Sequence, residues 1–158
     1  MNTERAPLRY ASDITEDDLW EVFDFLHPRL EALEAGHPPG TDEHRTADAL
    51  ARMLSSAVLQ LEWDIRARFW RPYRNRRGHM PVLVWAPPPE AVLRAQDEGR
   101  LDRIRETWNT LCDGLRVWRD CGGYALDRWH PLEFNDAAAE AEYDRRCDEL
   151  GLRRTKRL

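Results

Sequence analysis

Lysine and cysteine are both scarce in this chain. Lys156 is the one lysine among 24 basic residues, and the three cysteines, Cys112, Cys121 and Cys147, include no Cys-x-x-Cys pair. An odd number of widely spaced cysteines is typical neither of a disulfide framework nor of a zinc finger. We therefore expect three reduced, structurally passive thiols and a cytoplasmic protein.

Long apolar segments are missing as well. The opening residues, MNTERAPLRY, lack the apolar stretch that a signal peptide needs. The uncharged run from Met80 to Pro89 contains four prolines and has about half the length required to span a bilayer. These absences predict a soluble protein with no membrane partner.

Motifs for nucleotide binding, nucleophilic catalysis and zinc hydrolysis are also absent. The chain contains no GxxxxGK[ST], GxGxxG, GxSxG or His-Glu-x-x-His pattern. Four potential metal ligands are close in sequence, namely His37, Asp42, Glu43 and His44. Two of them, Asp42 and Glu43, also suit the first turn of a helix. We therefore expect no metal, no cofactor and no catalytic residues, and we favour a protein that is not an enzyme.

The residues that are present describe a globular protein. The chain has 158 residues, of which 42% are hydrophobic and 34% charged, and it contains seven tryptophans. This length and composition predict one domain over residues 1–158 with its own core, and frayed ends at residues 1–14 and 152–158. The net charge of −5 excludes a nucleic-acid binder that is basic over its whole surface.

The first half of the chain has the spacing of two long helices. Thr15 suits the N-cap of the first, and Pro28 predicts a kink or break inside it. Its apolar residues would form one buried row, namely Leu19, Phe23, Leu26, Leu30 and Leu33. The second helix is expected to begin after Thr41 or Asp42 and to end near Arg71.

The second helix carries two apolar rows. The first consists of Ala47, Leu50, Leu54, Val58, Leu61, Ile65 and Phe69, and the second of Leu59, Trp63 and Trp70. A helix with so broad an apolar face must pack against at least two neighbours or against another subunit.

The second half predicts further helices and one strand-like run. A short helix should end at Gly99, and the next carries heptad spacing in Leu101, Ile104, Trp108, Leu111, Leu115 and Trp118. A last helix after Asn135 or Asp136 would bury Ala139, Tyr143, Cys147 and Leu150. The fold predicted is mainly α, a bundle of four or five helices with a minor β element near residues 82–85.

One segment concentrates positive charge and aromatic rings. Residues 66–79, RARFWRPYRNRRGH, contain six arginines, three aromatic residues and no acid, whereas residues 1–65 carry five arginines against fourteen acids. Arginine beside exposed rings suits nucleic acid, but the same arginines could instead neutralise the acidic first helix. The predicted binding patch consists of Arg66, Arg68, Trp70, Arg71, Tyr73, Arg74, Arg76 and Arg77.

Three other residues could carry acid–base chemistry. Glu62 and Asp64 flank a tryptophan, where burial could raise a carboxyl pKa, but Glu62 and Arg66 have the spacing of a helical ion pair. His130 has no nucleophile linked to it by sequence and is expected to be a packed residue. We favour structural roles for all three.

These observations favour a non-catalytic helical module that binds a protein partner or associates with itself. The apolar breadth of the second helix carries this hypothesis. The alternative is a nucleic-acid-binding accessory protein that uses residues 66–79.

Overall fold

The structure is a computed structural model that describes residues 6–67 and 89–152. Within these residues it contains four helices, α1 (Glu16–Ala35), α2 (Asp42–Arg66), α3 (Glu90–Leu115) and α4 (Ala137–Glu149), and no β-strand. The prediction of a mainly α bundle is confirmed. The β element expected near residues 82–85 lies outside the described part of the chain.

Helix α1 begins at the predicted cap and is continuous where a kink or break was expected. The Asp18 carboxylate accepts hydrogen bonds from the Thr15 backbone nitrogen (2.9 Å) and hydroxyl (2.7 Å). The helix passes through Pro28 without a break. Its buried apolar residues are Leu19, Val22, Phe25 and Leu30, while Leu33 of the predicted row is exposed.

Helix α2 packs against both α1 and α3. The Thr41 hydroxyl accepts a hydrogen bond from the His44 backbone nitrogen (3.3 Å), which confirms the predicted cap. The first apolar row is buried at Ala47, Leu54, Val58, Leu61 and Ile65 but exposed at Leu50. The described members of the second row, Leu59 and Trp63, are both exposed, so the two neighbours do not cover the whole apolar surface of the helix.

Helix α3 is one helix where the sequence predicted two. Gly99 lies inside it, and the Arg103 guanidinium donates a hydrogen bond to the Gly99 carbonyl oxygen (3.1 Å). A single interior glycine costs only about 1 kcal/mol, which the buried residues that follow it, from Leu101 to Leu115, override. Leu115 of the heptad row is buried as expected, but Leu111 is half-buried. Cys112 takes the buried position instead, because an α-helix turns every 3.6 residues rather than every 3.5.

Helix α4 has well-defined ends. Its N-cap, Asp136, accepts a hydrogen bond from the Ala139 nitrogen (2.8 Å). At its C-terminus the nitrogens of Gly151 and Leu152 donate to the carbonyl oxygens of Asp148 and Cys147, which is a Schellman motif. Gly151 adopts a φ of +65°, as its predicted position past the helix end requires.

The buried surface of α4 is narrower than predicted. Cys147 is buried, but Tyr143 and Leu150 are exposed. Glu140 is the other buried residue of this helix, and it pairs with the N-terminal segment rather than with the apolar core. A helix held by such a polar contact needs less apolar surface than one held in the core.

The N-terminal segment is part of the fold. Leu8, Ala11 and Ile14 are buried in the same hydrophobic cluster as the helices. Residues around Tyr10 run beside Phe134, and Glu140 of α4 accepts hydrogen bonds from the Arg9 guanidinium (2.9 Å) and the Tyr10 hydroxyl (2.5 Å). The expectation of a frayed end is therefore wrong for residues 8–14. At the other end Leu152 is exposed, and residues 153–158 lie outside the described range.

None of the helices in residues 6–67 and 89–152 combines the length and the apolar character needed to cross a membrane.

Candidate interaction surface

The side of α2 that faces solvent carries large apolar side chains. Met53 is 67% exposed, Leu59 60% and Trp63 72%. Single exposed apolar residues are normal on a protein surface, but three on consecutive turns of one helix form a patch. This patch is the most unusual surface feature of α2.

The exposed residues at the centre of this side follow a regular spacing. Every one of them is exposed and uncharged, and they are separated by four, three, four, three and four residues; they are Ala49, Met53, Ser56, Gln60, Trp63 and Ala67. This spacing places them along one line on the helix, on the side away from the buried row. We refer to these six residues as the outer seam.

Two ion pairs bracket the uncharged part of α2. Arg52 lies 2.9 Å from Asp48, and Arg66 lies 2.7 Å from Glu62. The nine residues between Arg52 and Glu62 contain no charge. The buried side of the helix accounts for part of this interval, but its exposed residues, Met53, Ser56, Leu59 and Gln60, are uncharged as well.

Arg66, the first residue of the predicted binding patch, is held within the protein. Its guanidinium donates two hydrogen bonds to the Glu16 carboxylate of α1, at 2.9 and 2.8 Å. This bidentate contact lowers the pKa of Glu16 and raises the pKa of Arg66. The interpretation that the arginines neutralise the acidic first helix is therefore correct for this one residue.

The other seven residues of that patch lie outside the described part of the chain; they are Arg68, Trp70, Arg71, Tyr73, Arg74, Arg76 and Arg77. Whether these residues form a surface with Arg66 stays a prediction.

The opposite end of the α1–α2 hairpin has a shallow apolar groove. The His44 ring nitrogen Nδ1 lies 3.1 Å from the Glu34 carbonyl oxygen and fixes the two helices there. Beside it, Leu33 and Leu50 line a groove of about 430 Å³ together with Ala47 and several polar residues. None of the outer-seam residues lines this groove.

The candidate acid–base residues have structural partners. Glu62 pairs with Arg66, as its spacing predicts. Asp64 is buried and accepts a hydrogen bond from the Arg103 guanidinium (3.0 Å), which ties α2 to α3, and another from the Gln60 amide (3.1 Å) within α2. The His130 backbone carbonyl accepts a hydrogen bond from the Trp108 indole nitrogen (3.2 Å). The three residues are not brought together at one site.

The four potential metal ligands are also separated by their contacts. His37, Asp42 and Glu43 line the groove described above, whereas His44 faces Glu34. Among the residues that the structure describes, no group of three His, Cys, Asp or Glu side chains is placed to hold a metal ion.

The three cysteines differ in accessibility, and this predicts their reactivity. All three are free thiols; Cys112 and Cys147 are buried and Cys121 is exposed. Burial raises the pKa of the Cys112 thiol to about 12, so it holds its proton at neutral pH. We expect a thiol reagent at pH 8 to modify Cys121 rapidly and the other two only after unfolding. Rapid modification of Cys147 in the native protein would contradict this.

The raised pKa of Cys112 also sets the sign of a pH effect on stability. The folded protein keeps this proton up to a pH of about 12, whereas the unfolded chain releases it near its ordinary value of 9.0. The contribution of the protonated thiol is therefore complete below pH 9 and decreases as the pH rises from there. Replacing Cys112 with Ala should remove this part of the alkaline destabilisation, as measured by urea unfolding at pH 8 and pH 10.

Sequence reasoning identified the breadth of α2 but not the outer seam. The seam contains small and polar residues, so the spacing of hydrophobic residues alone does not reveal it. A search for uncharged residues at heptad spacing opposite the buried row would have revealed it.

Comparisons of the chain with protein-family models, with curated proteins and with solved structures find no match.

Proposed function

We propose that the protein is a non-catalytic helical module that binds another polypeptide through the outer seam of α2. The observation that carries the proposal is the exposure of Trp63, at 72%, on a helix side that has no charge over nine residues. Tryptophan is enriched among the residues that dominate protein–protein binding energies. An exposed apolar patch of this kind marks an interaction site on a protein surface.

The geometry of the patch also favours a helix or another flat surface as partner. Small residues, Ala49 and Ser56, alternate with the large Met53 and Trp63 along the seam. Such alternation allows a partner helix to approach closely and to receive the large side chains between its own residues.

Nucleic-acid binding by residues 66–79 is the second candidate. Arg66 already makes three contacts with Glu16 and Glu62, so it is not available to phosphate without breaking them. The described residues therefore offer no observation that favours this candidate over the first. Adding duplex or single-stranded nucleic acid to the purified protein at about 50 mM salt, where electrostatic capture is strong, tests it directly.

The proposal can be tested by site-specific photo-crosslinking. A photoreactive phenylalanine analogue at position 53 should crosslink to a second polypeptide, either a copy of this chain or another protein. The same group at position 117 serves as control, because Val117 is 81% exposed but lies outside α2. Three outcomes would contradict the proposal. The two positions could crosslink equally, position 53 could give no crosslink, or it could crosslink only to residues of the same chain.

A further inference from the structure

We infer that the partner of the outer seam is a second copy of this chain, bound antiparallel and centred near Ala57 of α2. This inference rests on the proposed function and names the partner. It is carried by the order of charges and of side-chain sizes along α2.

The charges along α2 are self-complementary in the antiparallel direction. Read from its N-terminus, the helix carries Asp48, Arg52, nine uncharged residues, Glu62 and Arg66. The order is acid, base, uncharged interval, acid, base. When the sequence of a second copy runs in the opposite direction, Asp48 of one copy lies at the level of Arg66 of the other, and Arg52 at the level of Glu62.

A parallel copy in register would place each charged residue at the level of the same residue on the opposite flank of the seam, so that no opposite charges would meet. Charged residues that flank an apolar helix seam set the orientation of the two helices in this way. The two ion pairs within each chain, at 2.9 and 2.7 Å, hold the side chains on the flank of the seam. In the antiparallel pair Arg66 keeps its contacts with Glu16 and Glu62 and contributes its charge, not a new bond, at the level of Asp48 of the second copy. The contact between the copies that a substitution can test is therefore Arg52 opposite Glu62.

The sizes of the seam residues are compatible with this register. Trp63 comes to the level of Ala51, between the seam residues Ala49 and Met53 of the second copy, where the small Ala49 leaves room for the indole. Met53 comes to the level of Leu61, between Gln60 and Trp63, and the small Ser56 lies near the centre, where the two helices approach most closely. A parallel copy would instead bring the two Trp63 side chains together and leave the Ala49 positions unfilled.

The antiparallel arrangement also has closed symmetry. An antiparallel pair of identical helices has a two-fold axis, so each contact occurs twice and no further copy can add to the same surface. The expected product is therefore a dimer rather than a filament.

The first measurement is the mass of the purified protein in solution by light scattering. We expect the mass to approach twice 18.6 kDa as the protein concentration rises. A monomer at about 100 μM, where a dimer with a Kd in the micromolar range would prevail, would overturn the inference. If position 53 still crosslinked to a different protein, the proposed function would stand without it.

The second measurement distinguishes this antiparallel dimer from any other. Arg52→Glu would place two acids at the same level at both ends of the interface and should weaken dimerisation about tenfold. The double variant R52E/E62R restores opposite charges between the copies and should recover most of the lost affinity. The two positions are ten residues apart on one helix, about 15 Å, so they cannot compensate for each other within a chain.

The matched control is Arg94→Glu, the same charge change at an exposed residue that pairs with Glu90 four residues away. It should leave the dimer affinity unchanged, and circular dichroism should show equal helix content in all variants. A dimer that R52E does not weaken, or that the double variant weakens further, would overturn the antiparallel arrangement.

Discussion

Replacing Trp108 with Ala should lower the free energy of unfolding by about 3–5 kcal/mol. Trp108 is the largest of the fully buried side chains, and its indole nitrogen donates a hydrogen bond to the His130 carbonyl oxygen. The change removes apolar contacts from the centre of the core, leaves a cavity and deprives a carbonyl group of its partner. Urea unfolding followed by circular dichroism measures the effect.

Trp63→Ala is the matched control for this substitution. It removes the same side chain from an exposed position and should change the stability by no more than about 0.5 kcal/mol, at a protein concentration too low for self-association. A loss below about 1 kcal/mol for Trp108→Ala would mean that the core around α3 is not organised as described.

Arg128→Ala should destabilise the protein by a similar amount, about 3–5 kcal/mol. Asp18 is completely buried, and its carboxylate accepts hydrogen bonds from the Arg128 guanidinium, one of them at 2.7 Å. The same guanidinium donates to the Ala6 carbonyl oxygen (2.6 Å). Removing it leaves a buried negative charge without its main partner and releases the N-terminal segment from α1.

Two variants separate the cost of the unpaired charge from the loss of packing. In the background Asp18→Asn, where no charge is buried, Arg128→Ala should cost clearly less than in the wild type. Arg94→Ala removes an exposed ion pair to Glu90 and should cost no more than about 1 kcal/mol. Equal losses for Arg128→Ala and Arg94→Ala would show that the Asp18 pair is not buried.

The helix caps and most buried rows could be predicted because they depend on residues close in sequence. Thr15, Thr41 and Asp136 all precede helices as expected. The side-chain oxygens of Thr41 and Asp136 accept from a backbone nitrogen three residues later, whereas at Thr15 the Asp18 carboxylate accepts from the backbone nitrogen and the hydroxyl. The row through Leu54, Val58 and Leu61 follows from helical periodicity alone.

The errors arose where distant parts of the chain decide the outcome. Residues 8–14 looked like a frayed end because their order depends on Phe134 and Glu140, which no local pattern links to them. Gly99 looked like a helix end because local propensity ignores the packing of the residues that follow it, from Leu101 to Leu115.

The candidate surface was only partly predictable for a related reason. Leu59 and Trp63 widen α2 in the sequence as they do in the structure, but periodicity does not say whether a neighbour within the same chain covers them. Tertiary packing decides whether they are covered. Helix α2 packs against α1 and α3, and the outer seam, on the side of α2 away from its buried row, stays exposed.

The polar contact of Arg9 and Tyr10 with Glu140 of α4 has a consequence for how the chain folds. The bond from Tyr10 to Glu140 joins residues 130 positions apart, whereas the α1–α2 hairpin forms from neighbours in sequence. On a ribosome the hairpin can assemble while synthesis continues, and Leu8 and Ile14 can join the apolar cluster of the first three helices before α4 has emerged. The bonds from Arg9 and Tyr10 to Glu140 must wait for α4, so this polar contact forms after the apolar core that it flanks.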